Sequence, residues 1–281
     1  IMVSTMASGD TSPYVGASDI MMFPSIVDVA GINSFFATIF SNAVAAMTGM
    51  LEHPAPKHED SKPLVAATMF GVTTPAVQKV QAYLESKGYE VLVFHATGTG
   101  GKCMESLING GFINGVLDLT TTEWCDEIAG GVLNAGPDRC SAAALNGVPA
   151  VVSVGADDMV NFGPWNTVPE HYQGRNLYRH NPTVTLMRTT VEENEKIGHA
   201  IASKVNMSIG PCAVMLPLKG VSMIDAEGQP FYAPEEDAAL FKTLGEEIDP
   251  TKAELIEIGT HVNDDEFAIA AAQKLIDLMN K

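Results

Sequence analysis

An α/β fold with a doubly wound, mostly parallel sheet and helices on both faces is what this sequence predicts. Three observations carry the expectation. Short apolar runs of β type recur from residue 64 onward, amphipathic segments of helical period lie between most of them, and small or hydroxylated residues follow the runs where βα loops belong. The chain has 281 residues, 46% of them hydrophobic, enough for the core such a sheet requires.

In chain order, residues 1–8 read as a strand entering the turn formers Gly9, Asp10, Thr11, Ser12 and Pro13. Residues 31–52 place Ile32, Phe35, Phe36, Ile39, Phe40, Ala43, Val44 and Met47 at helical spacing. This wide apolar face is core, or packs on a preceding segment or a second subunit. Residues 53–63 hold three prolines among charged residues and read as a linker. The expected organisation is therefore 1–52 as the C-terminal part of a first α/β subdomain, 53–63 as linker, and 64–281 as a second α/β domain. Within it, strands are expected at 64–70, 90–95, 116–119, 150–154, 184–188, 213–216 and 254–258. Helices are expected at 75–87, 102–109, 141–146, 191–205, 234–246 and 264–279.

A formal net charge of −18 makes the summed field repel phosphate backbones, which excludes non-specific nucleic-acid binding as an expectation. A small anion in a local positive pocket remains compatible. Cys103, Cys125, Cys140 and Cys212 show no C-x-x-C pair and no metal-finger spacing, so reduced thiols and a cytoplasmic location are expected. The longest apolar region, 20–51, is broken by Asp28, Asn33 and Asn42 and lacks a signal-peptide pattern, so neither secretion nor a membrane span is expected.

In an open parallel sheet, ligands bind beyond the carboxyl ends of the strands. The richest of these loops is Ala96-Thr97-Gly98-Thr99-Gly100-Gly101-Lys102-Cys103, after a strand and before a helix. Glycines let backbone N–H groups approach an anion, and the helix N-terminus and lysine add positive potential. Against G-x-x-x-x-G-K-[ST], the first glycine is Ala96 and the final hydroxyl is the Cys103 thiol, which removes the usual Mg²⁺ ligand and argues against P-loop NTP hydrolysis. Cys103 also displaces the third glycine of G-x-G-x-x-G. The loop is then an anion site of another kind, with Thr97, Gly98, Thr99, Gly100, Gly101 and Lys102 as candidates, or a plain tight βα turn.

Thr73, Thr121 and Thr122 are candidate hydrogen-bond partners of such a ligand, and Glu123 a candidate general acid or base. Helix capping is the alternative for the threonines and Glu123. Asp157 and Asp158 follow a buried strand and could hold Mg²⁺, or one of them could cap a turn. His261, near Asn263, Asp264 and Asp265, is catalytic, a metal ligand or structural. Residues 161–182 read as a long loop carrying Trp165, Arg175, Arg179 and His180, a lid over an anion or a local aromatic cluster.

Eight stretches then carry a resemblance: 2–10, 25–31, 95–101, 118–123, 136–139, 158–163, 180–182 and 217–222. Through them the chain resembles the latter two-thirds of the Tm-one-like ATP-binding protein family, the tomato mosaic virus resistance protein and its bacterial homologues. The resemblance implies two Rossmann-like subdomains, a homodimer, and ATP or a similar anionic ligand, with Mg²⁺ where a metal is used. It also implies a further glycine-rich loop in an N-terminal segment upstream of Met2. The leading expectation is binding of ATP or another small phosphate or carboxylate ligand at the C-terminal edge of the sheet. The alternatives are a metal-assisted hydrolase or lyase for a small oxo- or hydroxy-acid, using His95, Glu123, Asp158 and His261, and a nucleotide-stabilised interaction module.

Overall fold

The computed structural model describes residues 1–54 and 62–281, so most of the expected linker lies outside the described residues. The chain divides into two units, Ile1–Ser61 and Lys62–Lys281. In the first, β1 (Met2–Ser4) leads through a 3-10 turn to α1 (Ser12–Val15), β2 (Met22–Pro24) and α2 (Ser34–Glu52). β1 and β2 pair in parallel. The strand expected over 1–8 stops at Ser4, whose hydroxyl accepts the Met6 amide at 3.2 Å and turns the chain. α2 starts where Asn33 Oδ1 accepts the Phe36 amide at 2.8 Å. By length and composition alone α2 is long and apolar enough to cross a membrane, a test that core helices and signal sequences also pass.

The second unit begins with β3 (Leu64–Met69), α3 (Thr74–Ser86), β4 (Glu90–His95), α4 (Thr99–Asn109), β5 (Gly115–Thr120) and α5 (Glu123–Ala129). It continues with α6 (Ser141–Asn146), β6 (Ala150–Gly155), β7 (Met159–Phe162), β8 (Leu177–Asn181) and β9 (Val184–Arg188). It ends with α7 (Val191–Val205), β10 (Cys212–Pro217), α8 (Pro234–Glu247), β11 (Glu254–Ile258) and α9 (Asp265–Met279).

Six strands form one parallel sheet in the order β11-β10-β6-β5-β3-β4. Every residue of β5, β6 and β10 is buried, as a sheet covered on both faces requires. Val77, Val80 and Leu84 of α3 and Phe267, Ala271 and Leu275 of α9 pack in one core layer. Met104 and Ile108 of α4, Ile197 and Ile201 of α7, and Leu240 and Leu244 of α8 pack in the other. The order reverses between β3 and β5, making their carboxyl ends the topological switch point. The doubly wound α/β class is therefore observed.

Two expectations are corrected. Val184–Arg188 does not join the parallel sheet: β9 lies between β7 and β8 in a separate antiparallel sheet. The stretch 161–182 is accordingly not a structureless loop. Its turn is set by Asn181, whose Oδ1 accepts the Thr183 amide and hydroxyl, both at 2.9 Å, so β8 folds back on β9 as a hairpin.

Candidate functional site

The glycine-rich loop already holds a carboxylate of its own chain. Gly98, at φ +81°, caps α4, and its amide donates to Glu123 Oε1 at 2.6 Å; the Gly101 amide donates to the same oxygen at 3.1 Å. A Cβ on Gly101 would meet Glu123 Oε2 at 2.4 Å, which is why a glycine stands there. Arg139, 1% exposed, completes the arrangement. Its Nε donates to Glu123 Oε2 at 2.5 Å, its NH1 and NH2 fork onto Asp118 at 2.5 and 2.6 Å, and NH1 also reaches Glu105 at 3.3 Å. Glu105 in turn accepts the Cys140 and Ala142 amides at the start of α6, and burial raises its pKa. This is anion chemistry of the expected kind, with Glu123 in the anion's place.

Other loop residues stay outside that cluster. Thr97 Oγ1 donates to the His95 carbonyl at 3.3 Å, and Thr99 and Lys102 are exposed while Gly100 is half-buried. Lys102 Nζ forms no ion pair among the described residues, and its side chain lines a groove of about 620 Å³ with Ser106, Ser141 and Lys204.

At the switch point the chain fills the space itself. Thr73 and Thr120 hydroxyls meet at 2.8 Å, Thr122 donates to the Met159 carbonyl, and none of these threonines is exposed. Val72, Ala156, Met159, Leu186 and Phe231 form a small apolar core there, seating the antiparallel sheet on the ends of β3 and β6. Thr121 has one hydroxyl hydrogen facing two acceptors, Ser153 O at 2.8 Å and Asp157 Oδ2 at 2.9 Å. Burial pushes the Asp157 carboxyl well up, which favours the protonated form that such a shared hydrogen would need.

Asp158 belongs to a second buried network. Ser222 Oγ donates to its Oδ2 at 2.7 Å, and burial together with Asp225 raises its pKa. Arg188 donates to Asp237 at 2.5 Å and lies 3.7 Å from Asp225. Neither Asp157 Oδ1 nor Asp158 Oδ1 has a hydrogen-bond partner among the described residues. No three His, Cys, Asp or Glu side chains among the described residues are spaced to hold a metal ion, so His95, Glu123, Asp158 and His261 form no such group. His261 is committed on both ring nitrogens: Nδ1 accepts the Asn263 amide at 3.1 Å, which leaves Nε2–H to donate to the Ser222 carbonyl at 2.8 Å.

An open cleft of about 560 Å³ lies beside this network, at the ends of β10 and β11. Lys219, Gly220, Tyr232, Asp237, Phe241 and His261 line it. The first turn of α8 borders it, with Pro234 at N1 and an N-cap residue, Ala233, that supplies no side-chain hydrogen bond. Lys219 Nζ has no ion pair among the described residues. In the sequence Lys219 and Arg139 stand out only as members of the family stretches 217–222 and 136–139, and Arg188 and Asp237 are not singled out as site residues. The available signal was a charge inside an apolar run, as at Asp118 and Arg188.

Fold and edge together define a class: a doubly wound α/β domain whose switch point is closed and whose open cleft lies toward the far strands. Residues 62–279 match the C-terminal domain of an uncharacterised protein family, UPF0261, and residues 1–56 match its N-terminal domain. The chain belongs to this family, which bears out the resemblance carried by its motifs. It is 59% identical over 281 residues to a UPF0261 protein of Clostridium tetani, covering all of this chain and 70% of that protein. A UPF0261 protein of Rhizobium meliloti is 50% identical with the same coverage. The ToMV resistance protein Tm-1(GCR237) of Solanum lycopersicum is 45% identical over 287 residues, all of this chain but 38% of that protein.

Proposed function

We propose that this protein binds a small phosphate or carboxylate compound, ATP being the expected case, in the cleft where β10, β11 and α8 meet. The carrying observation is the convergence on a cleft of about 560 Å³ of Lys219, which has no ion pair among the described residues, and the first turn of α8, whose N-cap residue supplies no side-chain hydrogen bond. The volume suits a nucleotide-sized ligand. The amides at the helix start and the Lys219 ammonium favour an anion and work against the first-turn acids Glu235, Glu236 and Asp237. The glycine-rich loop supports a different role, because Glu123 occupies the amides of Gly98 and Gly101. Any Mg²⁺ would arrive on the ligand's phosphates, with Glu227 at the cleft wall as a single protein oxygen donor.

Isothermal titration with ATP–Mg²⁺ and with small phosphorylated acids tests this reading. Lys219→Ala should weaken binding about tenfold, roughly 1.4 kcal/mol, with Lys102→Ala unchanged. The reverse pattern would move the ligand to the α4 groove, and absence of binding to any of these anions would overturn the proposal.

A further inference from the structure

The sequence has four arginines against 34 acidic residues. Three are bound to carboxylates: Arg139 to Asp118 and Glu123, Arg175 to Glu193 at 2.7 Å, and Arg188 to Asp237. Arg179 is different. Its side chain forms no ion pair or hydrogen bond among the described residues, and its guanidinium lies 5.1 Å from the ring centre of Trp165, itself 44% exposed. In so acidic a chain, an arginine over an indole with no acid paired to it among the described residues is a cation kept available.

The surroundings carry donors and no carboxylate among the described lining residues. A pocket of about 420 Å³ is lined by Pro164, Trp165, Asn166, Arg179, Asn181 and Pro182, with no acidic residue among them. Asn181 Oδ1 already accepts twice from Thr183, so its remaining capacity is the Nδ2 amide, which donates. Arg179 and Asn181 thus bring hydrogen-bond donors to the pocket lining, while the indole and two pyrrolidine rings supply apolar walls. A planar anion attached to a flat apolar body satisfies both, because a carboxylate matches the guanidinium fork and the body covers Trp165.

We propose that the pocket between Trp165 and the β8–β9 turn is a binding site for a small aromatic or cyclic carboxylate, separate from the cleft at β10 and β11. The site is shallow, and its affinity rests on one charge-assisted pair and one stacked face.

The test uses the whole chain, labelled with ¹⁵N, and follows the indole N–H signal of Trp165, assigned by Trp165→Phe, during titration with sodium benzoate. Benzamide, the same ring without the charge, and inorganic phosphate, the charge without the ring, are the comparison probes. Benzoate should shift the Trp165 signal saturably, with benzamide and phosphate each at least about tenfold weaker. Arg179→Gln should weaken benzoate about tenfold as well, while Lys219→Ala leaves it unchanged. No saturable shift with benzoate, equal binding of benzamide, or undiminished binding in Arg179→Gln would each overturn the proposal. Lys219→Ala separates this result from the edge cleft, whose ligand can fail or succeed independently.

Discussion

The Glu123 carboxylate sits 2.6 Å from the Gly98 amide, inside the turn that would otherwise receive a ligand's anion. The side chain is fully enclosed and clamped from its other oxygen by Arg139. Removing one partner of a buried, hydrogen-bonded ion pair strands the other in low dielectric. Glu123→Ala and Arg139→Met should each cost about 3–5 kcal/mol in urea unfolding. Lys196→Ala, which breaks only an exposed pair with Glu192, should stay within about 0.5 kcal/mol. A Glu123 variant with unaltered stability would return that residue to the list of catalytic candidates.

Gly101 has a steric reason to be glycine. Gly101→Ala places its Cβ against Glu123 and should destabilise by about 1–3 kcal/mol, since neither the clamped carboxylate nor the loop can give way. Gly71→Ala is the control, because nothing lies within 4 Å of its Cβ position. Equal urea midpoints for the two variants would contradict the packing described.

Stability should fall as pH rises from 5 to 8. Burial raises the Asp126 carboxyl to about 7 and pushes Asp158 and Asp237 up as well. These groups keep, in the folded state, protons that the unfolded chain has released. Their contribution is therefore full below about pH 4 and lost as pH climbs toward their folded values. Glu193 has the opposite sign: although burial opposes ionisation, hydrogen bonds from Arg175 and Thr190 hold its pKa low, so its share is lost only in acid. Thermal melts should show the fall, and Asp237→Asn, which keeps an oxygen for Arg188, should flatten part of it. A level wild-type profile between pH 5 and 8 would refute this.

The start of α7 offers a smaller effect. Thr190 Oγ1 accepts the Glu193 amide at 3.2 Å while Glu193 Oε2 accepts the Thr190 amide at 2.8 Å. Thr190→Ala should cost about 1 kcal/mol, restored in large part by Thr190→Ser, as read from urea midpoints.

Periodicity was enough to read β3, β4, β6, β10 and most helices, because a buried strand and an amphipathic helix each write their pattern locally. The strand over 184–188 was legible as a strand but not as antiparallel, since its partner is decided by the Asn181 turn and the apolar seat under Phe231. The Glu123–Gly98 contact joins residues 25 apart in sequence, and no local spacing encodes it. Arg139 likewise meets Asp118 across 21 positions. The glycine pattern points to room for an anion, and in the structure the Gly98 and Gly101 amides meet the chain's own Glu123, a contact that local spacing does not encode.

Arg139 has one more consequence, during synthesis. Glu105, Asp118 and Glu123 all leave the ribosome before it does, so a growing chain that stops short of residue 139 gathers three carboxylates around a cation it does not yet possess. The first three strands of the large sheet, β3, β4 and β5, are therefore expected to be less stable in a chain ending before residue 139 than in one that includes it, which limited proteolysis of the two truncations would read.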